Sequence, residues 1–162
     1  MEELNNLQPK FEEKLEAFKQ MIEQAAEETY KEIANRYGEH FGKNPNDIYW
    51  QPACFQFQTI MREKLQKKGI NPIPMETDVS SINPNGKPHY TLVVKFIKDY
   101  IIDGTWQQYL EKKEIDEINK QNHCLIANTE ALDQDLRMAS VPKRLWFIYQ
   151  NRTPTRSKAK KF

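Results

Sequence analysis

Phe11, Leu15, Phe18, Ile22, Ala25, Thr29, Ile33 and Tyr37 recur at alternating steps of four and three residues. That spacing gathers side chains on one face of an α-helix. Glu12, Glu13, Glu16, Lys19, Glu23 and Glu27 fall mainly on the opposite face. Pro9 is well placed near the start of such a helix and Gly38 near its end, so a helical part over 8–41 is predicted. Its stripe is expected to pack on the rest of the domain, since it covers too few heptads to argue for a coiled-coil seam.

Beyond this helix the pattern changes. Gly42 to Asp47 reads as a loop, and Ile48-Tyr49-Trp50 as a short apolar approach to a second helix. Pro52 suits the first turn of that helix, which runs from Cys54 through Phe55, Gln58, Thr59, Met61, Arg62 and Leu65 to an exit at Lys67-Lys68-Gly69. Ile70 to Pro74 reads as a proline-broken extended segment, and Thr77 to Ile82 as a strand. Asn83 to Pro88 is a dense turn signal. His89 to Phe96 has strong β composition, and Lys98-Asp99 is expected to turn the chain into a partner strand, Tyr100-Ile101-Ile102. Gln107 to Asn119 reads as helical and Leu125 to Leu136 as ambiguous. Leu145 to Tyr149 reads as a final strand or a core plug.

The expected fold is α+β, with the second helix packed on a small antiparallel sheet and the long N-terminal helix beside it. Residues 1–152 are expected to form one domain whose core spans about 46–150, followed by a basic disordered tail over 153–162. The 24 Lys and Arg nearly balance the 23 Asp and Glu, which argues against wholesale nucleic-acid binding. No apolar run approaches the length of a membrane span. Two cysteines, Cys54 and Cys124, cannot make a disulfide scaffold. The N-terminus is acidic and polar, unlike a cleavable signal, so the expected location is cytoplasmic, or outside the cell by a route that uses no such signal.

Three residues carry the chemistry. Cys54 opens a helix, His89 begins a strand, and Asp103 stands where the next strand would end. A cysteine at a helix N-terminus beside an imidazole is readily ionised to the thiolate. The carboxylate of Asp103 would fix the imidazole tautomer. Fourteen residues separate His89 from Asp103, the length of two short strands and a turn, so a hairpin would bring the two side chains together. Candidate oxyanion donors are the backbone N–H of Cys54, the side chain of Gln51 and the indole N–H of Trp50. His123-Cys124 reads as structural, because adjacent residues make a poor nucleophile–base pair. Cys54, His89, His123 and Cys124 lack metal-site spacing, so no metal is expected.

The region from about residue 50 to 108 resembles the transglutaminase-like branch of the papain-like cysteine enzymes. Three patterns carry the resemblance: Cys54-Phe55 followed by a helix closing at Gly69-Ile70, His89-Tyr90 opening a strand, and Asp103-Gly104-Thr105-Trp106-Gln107, which is similar to the family's Asp-Pro-Thr-x-Gln element. The chain departs from the pattern with Pro52-Ala53 before the cysteine and Gly104 in place of proline. The resemblance implies a Cys54-His89-Asp103 triad, with Trp106 and Gln107 packing at the hairpin's end or lining the cleft. The short connection from Cys54 to His89 is similar to small bacterial effector and toxin enzymes of this fold, some of which deamidate glutamine in host proteins. The activity this implies is thiol-dependent attack on a glutamine side chain or peptide bond of a protein substrate. Deamidation is the first expectation, ahead of proteolysis and acyl transfer, and none requires an organic cofactor or metal. The alternative is a catalytically inactive domain that binds a protein through its N-terminal helix or basic tail.

Overall fold

The computed structural model describes residues 2–83, 87–117 and 123–155. Five strands form one antiparallel sheet in the order β4-β3-β2-β1-β5. They are β1 (Ile73–Thr77), β2 (His89–Phe96), β3 (Lys98–Asp103), β4 (Leu125–Asn128) and β5 (Thr153–Pro154). Two helices, α1 (Glu2–Phe41) and α2 (Cys54–Lys67), cover one face. The short helices α3 (Lys112–Glu117), α4 (Leu132–Met138) and α5 (Phe147–Gln150) belong to the C-terminal half of the chain. Residues of α4 and α5 pack on the other face. The architecture is thus α+β, with a small antiparallel sheet and a long N-terminal helix.

Alternation along the central hairpin divides the core in two. Leu92 and Val94 of β2, with Tyr100 and Ile102 of β3, face α1 and α2. Val93 and Ile101 face the C-terminal layer, where Trp106, Leu136, Leu145, Ile148 and Tyr149 are buried. The stripe on α1 supplies Phe18, Ile22, Ala25, Thr29 and Ile33 to the first core. Phe18 stacks on Phe96 of β2 with ring centroids 4.6 Å apart. Helix α2 ends as its Lys-Lys-Gly exit predicts. Gly69 sits at φ +82°, and the N–H groups of Gly69 and Ile70 donate to the carbonyls of Gln66 and Leu65. This is the paired closure that a left-handed glycine permits.

Several local expectations are corrected. Helix α1 already runs from Glu2, so Pro9 lies inside it; a proline's fixed φ is compatible with helix and removes a single donor. The helix kinks at Tyr37, whose φ of −125° and ψ of 23° are non-helical, beside the expected exit at Gly38; a further turn then closes at Gly42, whose φ is +111° and whose N–H donates to the Gly38 carbonyl. The loop before α2 contains a 3-10 turn, Pro45–Trp50, capped by the Asn44 side chain. The first strand is Ile73–Thr77 and not Thr77–Ile82. The later stretch turns because Asp78 accepts from the Ser80 N–H and Val79 dives into the second core. Pro74 survives in β1 because its carbonyl points toward the C-terminal segment, accepting from Thr155 at 2.8 Å. Its missing N–H faces the same side, and the pairing of Pro74 with Leu92 is kept. The hairpin turns at Ile97, with φ 62°, and Lys98 and Asp99 are already in β3. Leu145–Tyr149 is a core plug: a 3-10 turn at Lys143–Leu145 leads into α5, with no strand. The expected tail begins as structure, since Thr153 and Pro154 pair with β1. Residues 156–162, and the centre of the Asn83–Pro88 turn, lie outside the described residues.

Gly104 holds the two layers in contact at the end of β3. A Cβ placed there would stand 2.2 Å from atoms of the Phe57 ring on α2. This is the physical reason for glycine where the resemblance leads one to expect proline. Gly104→Ala is expected to destabilise the fold by about 3 kcal/mol, an overpacking cost, measured by denaturant unfolding.

Candidate active site

The register of the hairpin sets two of the three groups. Leu92 pairs with Ile102, so one step further Asp103 stands opposite Thr91. His89 is two residues from Thr91 on the same face, making it the diagonal neighbour of Asp103. The side chains meet: His89 Nε2 lies 2.6 Å from Asp103 Oδ2. The carboxylate accepts two further bonds, from the Tyr149 hydroxyl to Oδ2 at 2.7 Å and from the Thr105 N–H to Oδ1 at 3.0 Å. Both residues of the pair are buried, His89 at 0% and Asp103 at 1% exposure. Behind them, the Tyr30 hydroxyl of α1 donates to the Gly104 carbonyl at 2.7 Å.

Cys54 is the first residue of α2. The packing of α2 on β2 brings its thiol to the imidazole; Nε2 is engaged by Asp103, so Nδ1 is the nitrogen left for sulfur. Burial pushes the thiol's pKa up. The hydrogen bond and charge of His89, with the Tyr90 N–H, more than offset that, and the thiol lies below its ordinary value. Burial alone would lower the His89 pKa, but the charge and hydrogen bond of Asp103, then the thiol, push it up to about 10. Cys124 goes the other way, held well above an ordinary thiol by burial and by the charges of Asp103, Glu23 and Glu27. Of two free cysteines, the surroundings of Cys54 favour ionisation and those of Cys124 oppose it.

Cys54, a residue 9% exposed, lies at a cleft of about 600 Å³. Phe41, Pro52, Phe55, Tyr90, Gln108 and Tyr109 contribute to its lining. The ring of Tyr109 meets His89 edge-on, 5.1 Å between centroids.

Four candidate positions are placed elsewhere. Trp106 is 1% exposed in the second core, and Gln107 is 2% exposed; neither lines the cleft. The 3-10 turn Trp106–Tyr109 points its first two side chains inward and turns the next two, Gln108 and Tyr109, to the cleft. Trp50 packs against the first core and edges Tyr49, and Gln51 closes the preceding 3-10 turn; neither lines the cleft. The Cys54 N–H remains the oxyanion candidate. It is the first donor of a 14-residue helix, and no acceptor reaches it among the described residues. His123 stacks on Tyr49 at 3.7 Å. Among the described residues no three His, Cys, Asp or Glu side chains gather as a metal site, and no helix is long and apolar enough to cross a membrane.

Gln108, Tyr109 and Tyr149 were not legible as site residues. Nothing local separates Gln107 from Gln108, and Tyr149 sits in an aromatic run that signals only burial. Its phenol pKa is raised well above the ordinary value by burial and by Asp103, so it stays a donor. Tyr149→Phe is expected to cost about 2 kcal/mol in denaturant unfolding, the loss of a hydrogen bond to a charged group. It should also move the His89 titration further up, because the carboxylate charge is then shared with one donor fewer; NMR of the imidazole reads this.

Comparison of the chain with models of protein families, with curated proteins and with solved structures gives no match.

Proposed function

We propose that this chain is a thiol-dependent amide hydrolase of the transglutaminase-like and papain-like kind, acting first on glutamine side chains of a protein or peptide. The observation that supports it most is the continuous line of contacts from Asp103 through His89 to Cys54, at a cleft whose lining includes Phe41, Phe55, Tyr90, Gln108 and Tyr109. In the resting site the proton sits on His89 and the negative charge on sulfur. The thiolate attacks the carboxamide carbon and the carbonyl oxygen takes the charge, facing the Cys54 N–H. As the C–N bond breaks, the imidazolium gives its proton to nitrogen and ammonia leaves, with the thioester remaining on Cys54. Water then attacks the thioester and yields its proton to His89. The S–C bond breaks, and a glutamate side chain departs. Peptide cleavage and acyl transfer to an amine share the first half and differ in the leaving group or the second nucleophile.

Deamidation comes first because Cys54 is recessed, with only 9% of the residue exposed. A carboxamide on a flexible stem reaches such an atom more readily than a main chain does. Incubating the protein with glutamine-containing peptides, with and without a primary amine, is expected to convert Gln to Glu with release of ammonia, as read by mass spectrometry and a coupled assay. Intact peptides throughout, from a folded protein whose unblocked Cys54 reacts with iodoacetamide in a parallel sample, would remove this function.

A further inference from the structure

Resting on the amide chemistry proposed above, we infer that Gln108 is a specificity-determining residue that recognises the nitrogen of the substrate carboxamide, its side-chain oxygen accepting an N–H from the leaving group. The orientation of the Gln108 amide is fixed by its neighbours. Nε2 lies 3.0 Å from the Thr105 carbonyl and 3.1 Å from Thr105 Oγ1. A backbone carbonyl can only accept, so the nitrogen must face it and the oxygen must turn away. Both N–H groups of Gln108 are then committed to Thr105. The contact of Nε2 with His89 Nδ1, at 3.4 Å, is too long to compete, and Nδ1 remains for the thiol.

The other end of this amide has no use inside the molecule. No donor reaches Gln108 Oε1 among the described residues, although the side chain is half-buried on the cleft wall. The amide thus stands beside the ring nitrogen that protonates the leaving group, with Nε2 3.4 Å from His89 Nδ1, and its oxygen is the end left for a ligand in the cleft. A primary carboxamide brings two N–H groups to that point. An ester brings a second oxygen, whose lone pairs would oppose Oε1. A site that hydrogen-bonds a substrate N–H discriminates strongly against the analogue that lacks it, because its own polar group is left unpaired.

The test compares benzyloxycarbonyl-glutaminyl-glycine with its isostere bearing a glutamate γ-methyl ester, following ammonia and methanol release. Wild-type protein is compared with Gln108→Met, which keeps length and removes the acceptor, and with Gln108→Leu as a second variant should the first not fold. Thermal melting and the rate of Cys54 alkylation are measured alongside. The expected result is a fall of about tenfold or more in the ratio of amide to ester kcat/KM. The alkylation rate of Cys54 should stay close to wild type. A ratio unchanged in a folded variant would overturn the role of Gln108 while leaving the amide chemistry standing. Wild-type protein that releases neither ammonia nor methanol would remove the amide chemistry, and this role with it.

Discussion

Alanine in place of Cys54 is expected to reduce ammonia release by ~10⁴-fold or more, since the covalent route is lost with its nucleophile. Cys124→Ala should stay within about twofold, because that sulfur takes no part and its side chain is small enough to replace at modest cost. The contrast follows from surroundings and not from residue type. Cys54 stands at a helix N-terminus against an imidazole that carries a proton. Cys124 is half-buried with its sulfur near the Leu125 carbonyl and the charges of Asp103, Glu23 and Glu27, all of which oppose ionisation. Cys54→Ser is a sharper control. It preserves the shape of the site, and it too should fall by ~10³-fold or more, because a hydroxyl is far harder to ionise beside the same imidazole.

Asp103→Asn should be nearly as damaging, lowering turnover by ~10³- to 10⁴-fold. The carboxylate is the largest influence raising His89 to about 10 against the cost of its burial. An amide in its place removes the charge, so His89 loses its proton and the thiol keeps its own. The same substitution should change how stability depends on pH. His89 has a folded pKa of about 10, above its value in the unfolded chain. Its contribution is therefore fully present below about pH 6.5 and is lost as pH rises toward 10. Cys54, whose folded pKa is depressed, contributes in the opposite sense, with stability present above its unfolded value and lost as pH falls. Melting temperatures are thus best followed in Cys54→Ala protein, where the thiol cannot titrate. They should fall between pH 7 and 10 while Asp103 is present. In the double variant that also carries Asp103→Asn, they should remain nearly flat from pH 7 to about 8.5, above which the raised Cys124 thiol adds a fall of its own in both proteins.

The parts of the fold written in periodicity were legible. The stripe from Phe11 to Tyr37 marks α1, the exit at Lys67-Lys68-Gly69 ends α2, and the β-branched and aromatic run from His89 to Phe96 is β2. These signals are local, so one chain suffices to read them. The meeting of Cys54, His89 and Asp103 is legible in their order and spacing, with the hairpin supplying the diagonal contact. Features that depend on distant partners were not readable. Strand β1 sits over Pro74 because of what lies on each side of it, and Thr153–Pro154 becomes a strand only because β1 offers an edge. The same holds in the site. The Phe57 ring explains Gly104, and the inward turn of Trp106 and Gln107 hands the cleft wall to Gln108 and Tyr109.

The central claim is that the fold holds Cys54 as a thiolate paired with His89. Its most direct test is the rate of iodoacetamide alkylation at each cysteine as a function of pH, resolved by peptide mass mapping. The expected profile has Cys54 inflecting below an ordinary thiol and reacting at least about tenfold faster than Cys124 at about pH 6, with the advantage lost in His89→Ala. Equal, slow alkylation of the two cysteines, with both inflections at or above the ordinary thiol value and no response to His89→Ala, would contradict the account.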